Sequence, residues 1–174
     1  MKTMSLISAV SFSLTCALIV NAQAGTDRIL RDAITSSDGV ALTGSDRLTT
    51  VGTFQPPVEI KVVAKTDSTN LRLTYAADQV IFNWEMNPEE LRVDGGPASG
   101  HHRVGAGKIP TNKFVTIRWV VTNKGQSIYV DNELRFQHEG DYSGISRPVS
   151  IFPGFGSKIT VKSVTVKPLS ASSQ

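Results

Sequence analysis

The sequence predicts an all-β domain, an antiparallel sandwich or barrel, and three observations carry that expectation. About nine to twelve short runs of β-branched and aromatic residues recur along the chain, separated by Gly, Pro, Asn and Asp turn signals. No long amphipathic stretch of helical period interrupts them. Residues 113–136 (KFVTIRWVVTNKGQSIYVDNELRF) read as two adjoining hairpins, and the rest of the chain is organised around them. No fixed-period repeat is visible, which argues against a propeller or a solenoid.

The first residues belong to targeting and not to the fold. Lys2 supplies a positive start, residues 6–20 are largely apolar, and Ala22-Gln23-Ala24 is an A-x-A cleavage site. The expectation is a signal peptide at 1–24, a single domain at 25–174, and a secreted or periplasmic location. The apolar run is shorter than the roughly 20 residues that a membrane span needs, and no other run reaches that length. Cys16 is not a lipidation site, since Thr15 precedes it where Gly, Ala or Ser is wanted. It is also the only cysteine, so the processed domain has no disulfide and must be held by its core alone or by a bound ion. A domain of this size buries roughly 70% of its unfolded surface, which suffices.

Residues 25–33 (GTDRILRDA) suit a short helix or an opening strand equally well. Residues 40–42 and 47–54 are β-type, with Gly52 a candidate bulge, and Gln55-Pro56-Pro57 breaks the pattern. In 58–65 (VEIKVVAK), Val58, Ile60, Val62 and Ala64 alternate with Glu59, Lys61 and Lys65, the pattern of a half-buried strand. Residues 71–75 and 79–85 (QVIFNWE) form the next hairpin, and Leu91-Arg92-Val93 a short strand after the turn at Pro88. Residues 94–107 (DGGPASGHHRVGAG) are a long Gly-rich loop, of a length uncommon in compact domains and more often functional or mobile.

Within the central hairpins Val115, Ile117, Trp119 and Val121 share one face. The first turn is Thr122-Asn123-Lys124-Gly125, the second Asp131-Asn132. Residues 148–152 are apolar, Gly154-Phe155-Gly156-Ser157 is a turn, and residues 158–166 form the last strand. Ile159 and Val161 are out of phase with Val164 and Val166, so a bulge is expected near Lys162-Ser163. Residues 170–174 read as a frayed tail.

The succession IFNWE…LR, KFVTIRW, IYVDNELR and ITVKSVTV resembles the concanavalin A-like lectin/glucanase superfamily, with a flavour of its laminin-G-like and 3-keto-disaccharide hydrolase-like secreted members. In such proteins a Trp-bearing strand is followed by a hairpin with a V-D-G turn; here Asn132 stands where the Gly would be. The resemblance spans most of residues 47–166. It implies a jelly roll of two curved antiparallel sheets and carbohydrate as the ligand class. It does not imply an activity, because this architecture hosts many.

Glycoside hydrolysis needs two carboxylates flanking one bond. The E-x-D-x-x-E strand motif of the superfamily's glucanases is absent, and Pro88 separates Glu85 from Glu89 and Glu90. The expectation is therefore a non-catalytic, lectin-like module. The alternatives are a sugar hydrolase with Glu85 or His101 as acid or base, and a structural envelope protein that binds a protein partner. Trp84 and Trp119 both lie in phase with aliphatic neighbours and are expected in the core.

With those buried, strand alternation leaves Arg72, Thr74, Asn83 and Glu85 on the opposite face; with Arg92, Arg118 and His101 they form the expected sugar-binding set. His101 and His102, with His138, Glu139 or Asp141, would serve a metal only in an irregular loop. Asp94, Asp131 and Asp141 offer oxygens to calcium without a D-x-D-x-D-G array, so no cofactor is expected.

Loss of Lys2 leaves 17 Lys and Arg against 15 Asp and Glu, a net charge of +2. The charges are interspersed and form no basic patch, which argues against nucleic acid as a partner.

Overall fold

The structure is a computed structural model, and it describes residues 27–30 and 34–169. The expected leader at 1–24 and the tail at 170–174 lie outside the described residues. The described chain has no helix and thirteen strands. In chain order these are β1 (Asp27–Leu30), β2 (Ile34–Thr43), β3 (Arg47–Thr50), β4 (Val58–Thr66), β5 (Leu71–Thr74), β6 (Gln79–Phe82) and β7 (Glu90–Asp94). They continue as β8 (Arg103–Val104), β9 (Val115–Val121), β10 (Gly125–Val130), β11 (Glu133–Glu139), β12 (Ser150–Phe152) and β13 (Lys158–Pro168).

The strands form two sheets, a seven-stranded one in the order β1-β3-β12-β5-β6-β7-β8 and a six-stranded one in the order β11-β10-β9-β4-β13-β2. Apart from the parallel pair β1–β3, their pairings are antiparallel. Of the sandwich and barrel that the strand pattern allows this is the sandwich, and it is the two-sheet jelly roll that the family resemblance implies. Segment 27–30, equally suited to helix or strand by sequence, is a strand.

The core lies between the sheets. In β4 Val58, Ile60, Val62 and Ala64 are buried, and β9 contributes Val115, Ile117, Trp119 and Val121, as alternation requires. The Trp119 ring meets Tyr75 edge-on at 6.2 Å, and its Nε1 donates to Gln126 Oε1 at 2.7 Å. A buried indole N–H needs such a partner. The phase slip in the last strand is a register shift between Val161 and Ser163 against both β2 and β4. Asp131 and Asn132 have φ of +49° and +71°, the doubly left-handed geometry of a type I′ hairpin turn.

Trp84 departs from its expected core position. Strand β6 ends at Phe82 because Asn83 takes a left-handed φ of +49°, so the alternation that would bury Trp84 stops one residue short of it. Trp84 is half-buried, with the Arg92 guanidinium 4.3 Å from its ring centroid.

Candidate functional site

The outer face of the seven-stranded sheet is built by the residues that alternate with the core. Ser150 pairs with Thr49 and Thr74, Gln79 with Asp94, and beside them Arg72, Ile81 and Arg92 stand in register across β5, β6 and β7. Ile81 is only 2% exposed yet lies outside the core cluster. Its register partners on either side are Arg72 and Arg92, residues whose methylene stems can cover an aliphatic side chain.

A hydrogen-bonded chain of polar side chains runs across these strands. Arg72 Nε and Nη2 donate to Asn70 Oδ1 at 3.3 and 3.0 Å, and Nη1 donates to Gln79 Oε1 at 3.3 Å. Gln79 Nε2 donates to Asp94 Oδ2 at 3.3 Å, which also accepts from Arg92 Nε at 2.7 Å. His102 closes the chain, with Nδ1 3.0 Å from Glu90 Oε1 and Nε2 3.2 Å from Asp94 Oδ1. Burial would raise the Asp94 pKa, but the hydrogen bonds and positive charge of Arg92 and His102 outweigh it and hold the carboxyl below its ordinary 3.8. Burial pulls Arg72 below the usual guanidinium range, while the Glu85 charge acts against that.

Glu85 is the unusual member. Its Oε2 lies 3.9 Å from Arg72 Nη2, close enough for charge attraction and too far for a hydrogen bond. That oxygen is buried and has no hydrogen-bond partner within the protein, and neither has the buried Nδ2 of Asn70 on the other side of Arg72. One orphaned acceptor and one orphaned donor thus flank a single guanidinium. Gly154 lets the last turn close over that group, since a Cβ there would stand 2.6 Å from Arg72 Cζ. Phe155 follows, its ring centroid 5.3 Å from the same atom.

The structure divides the seven residues that the sequence groups together. Arg72, Thr74, Glu85 and Arg92 belong to this face. Asn83 leaves it: the side chain is buried, accepts from Ile109 N at 2.8 Å, and donates to Ile109 O at 3.0 Å and Ser68 O at 3.2 Å. Both ends of its amide are used in tying loops together. Arg118 lies on the outer face of the other sheet, 3.2 Å from Glu59 Oε2 and 4.0 Å from the Tyr129 ring centroid. It borders a small hollow of about 240 Å³ lined by Lys61, Thr116, Asp131 and Asn132.

His101 packs at 4.6 Å on His138 of β11, whose Nδ1 is 2.8 Å from the Tyr142 hydroxyl. Of the two adjacent histidines it is His102 that reaches the Arg72 face; sequence gives no signal for which of the pair turns inward within an irregular loop. Sequence reasoning also missed Asn70, Gln79, Asp94 and Phe155 as neighbours of Arg72. The alternation of β5 and β6 could have supplied Gln79, which is in phase with Ile81. Among the described residues no group of three or more His, Cys, Asp or Glu side chains is placed to hold a metal ion. Nor is any described helix long and apolar enough to cross a membrane.

No protein-family model matches the chain, and no curated protein matches it in sequence. Solved structures share its architecture. A Caenorhabditis elegans galectin superposes with a TM-score of 0.53 at 14% identity, over 79% of this chain and 96% of that one. A protein described as a native glycosidic hydrolase gives 0.57 at 13% identity, over 79% and 81%. A Bacillus licheniformis β-glucanase gives 0.53 at 11%, over 79% and 77%. At such identities the likeness concerns the fold alone, a jelly-roll sandwich of two antiparallel sheets.

Proposed function

We propose that this chain is an exported, non-catalytic carbohydrate-binding module that recognises sugar hydroxyls on the outer face of its seven-stranded sheet. The observation that carries the reading is the buried, unpartnered Oε2 of Glu85 beside Arg72. A buried carboxylate oxygen without a donor costs free energy, and a hydroxyl that donates to it removes that cost. The same hydroxyl can accept from Arg72, because the three hydrogen bonds of Arg72 leave N–H groups on both Nη1 and Nη2 unused. A group that donates and accepts at one oxygen is what a sugar presents. The names of the structurally similar proteins, a galectin and two sugar hydrolases, favour the same ligand class.

Binding is favoured over hydrolysis by the state of the other carboxylates. A general acid must keep its proton near neutral pH, which requires a raised pKa. The described carboxylates with clearly displaced values, Asp67, Asp94 and Asp141, are all displaced downward. On this face Glu90 and Asp94 are held by His102 and Arg92, leaving Glu85 without the second carboxylate that a displacement needs.

The test is a glycan array probed with the wild type, Glu85→Gln and Arg72→Lys, each first shown to be folded by circular dichroism. Loss of a charge-assisted hydrogen bond predicts binding weaker by about tenfold to a hundredfold in each variant. Binding unchanged in both variants removes the site. A wild type that binds no glycan removes the function.

A further inference from the structure

Six described non-glycine residues have a left-handed backbone: Asn70, Asn83, Asn112, Asp131, Asn132 and Phe155. Five are Asn or Asp, whose short polar side chains tolerate that region. Phe155 is the exception, with φ of +49°, followed by Gly156 at +75°. Two successive positive φ values make the turn 154–157 a type I′ turn, whose central positions favour Gly, Asn and Asp. The turn is tied tightly: Ser157 N donates to Gly154 O at 3.1 Å, Ser157 Oγ to the same oxygen at 2.7 Å, and Gly154 N to Ser157 Oγ at 3.2 Å. Ser157 is itself 1% exposed, so the tip is anchored from below.

The strained residue gains little from burial, because Phe155 is 73% exposed. A glycine would relieve the backbone and forfeit almost no core contact. Strain kept at an exposed position beside a polar site points to a role in binding. Both candidate rings have a guanidinium over them, but that of Arg92 lies 4.3 Å from the centroid of the half-buried Trp84, whereas that of Arg72, which Glu85 also flanks, lies 5.3 Å from the centroid of the largely exposed Phe155.

We infer that Phe155 is the aromatic platform of the site, and that the ligand is a neutral pyranose whose C–H face lies on its ring while a hydroxyl reaches Glu85 and Arg72. The inference rests on the sugar-binding reading above and deepens it. A neutral sugar is favoured over an acidic one, since an anion would approach a carboxylate oxygen that already lacks a donor. A rigid turn suits the role, because a platform held in place before binding loses no rotational freedom of its backbone when the sugar arrives.

The experiment compares the wild type, Phe155→Gly, Phe155→Asn, Phe155→Trp and Glu85→Gln on an array of neutral, uronate-containing and sulfated oligosaccharides, with melting temperatures measured in parallel. Glycine and asparagine both suit the turn, so those two variants should melt at or above the wild-type temperature while binding the strongest neutral oligosaccharide about tenfold more weakly. Phe155→Trp should retain binding. Unchanged affinity in Phe155→Gly and Phe155→Asn overturns the inference, as does a loss of affinity that follows a lowered melting temperature in both, which would make Phe155 a structural cover for Arg72. Preference for uronate or sulfate overturns the neutral ligand. If Glu85→Gln abolishes binding and the Phe155 variants keep it, the platform fails and the sugar site stands; a wild type that binds nothing removes both.

Discussion

Replacing Asn83 with alanine should destabilise the domain far more than the loss of a surface ligand-binding residue would. The substitution removes the acceptor of the Ile109 N–H and both donations to the Ile109 and Ser68 carbonyls. The Ile109 N–H would then be left unpaired in a buried place, which costs about 1–3 kcal/mol. Two lost bonds to carbonyls add about 1 kcal/mol each. Alanine at a φ of +49° adds about 1 kcal/mol of backbone strain.

The total for Asn83→Ala is about 5 kcal/mol, or a melting temperature lower by roughly 15 °C for a domain of this size. Urea unfolding at pH 7 checks it, with Asn83→Gly as the internal comparison. Glycine loses the same hydrogen bonds without the strain, so it should be about 1 kcal/mol the more stable of the two. A loss below about 1 kcal/mol in Asn83→Ala would refute the assignment of this side chain to the loop tie. It would return Asn83 to the exposed polar row that strand alternation predicts.

The Asp94 carboxylate, held below its ordinary 3.8 by Arg92 and His102 against the pull of burial, stabilises the fold where it is ionised. Its contribution is fully present above about pH 4 and is lost as the pH falls through the lower folded-state value. Asp94→Asn should therefore lower the melting temperature at pH 7, and the gap from wild type should narrow as the pH falls below about 4; a gap that does not narrow contradicts the charge-based account. Gly107 packs against the β7 backbone, where a Cβ would collide with the Glu90 carbonyl and the Leu91 nitrogen. Gly107→Ala should cost about 3 kcal/mol in thermal unfolding. Gly105→Ala, with open space but a φ of +78°, should cost about 1 kcal/mol, and equal losses would refute the steric account.

Most of the sandwich is legible in the chain because a half-buried strand must alternate. Val58 to Ala64 and Val115 to Val121 state their faces directly, and the phase slip between Val161 and Val164 marks the bulge from the residue pattern alone. The site is less legible for a physical reason: alternation separates inward from outward but not one outer face from the other. Arg72 and Arg118 are both outward, yet they sit on different sheets, with the core between them. No local pattern distinguishes them, because the distinction arises only when β9 pairs with β4 and β5 pairs with β6.

The remaining features of the site lie where alternation ends. Asn70 precedes β5, Asn83 follows β6 and Phe155 caps the turn between β12 and β13, and all three have left-handed backbones. Carrying the β6 pattern past Phe82 buries Trp84 and exposes Asn83, whereas the reversal at Asn83 buries Asn83 and leaves Trp84 half-buried. The same reversals gather the ends of separate strands around Arg72. They place Asn70 Oδ1 on its fork, Glu85 within reach of its charge and Phe155 beside it. For the two Asn positions the departure has an evident structural return, in the hydrogen bonds that their side chains make. The return for Phe155 within the protein is the contact of its ring with the Arg72 guanidinium at 5.3 Å, which leaves most of the ring exposed for the outside partner inferred above. That difference makes Phe155 the position at which stability and binding should respond in opposite directions.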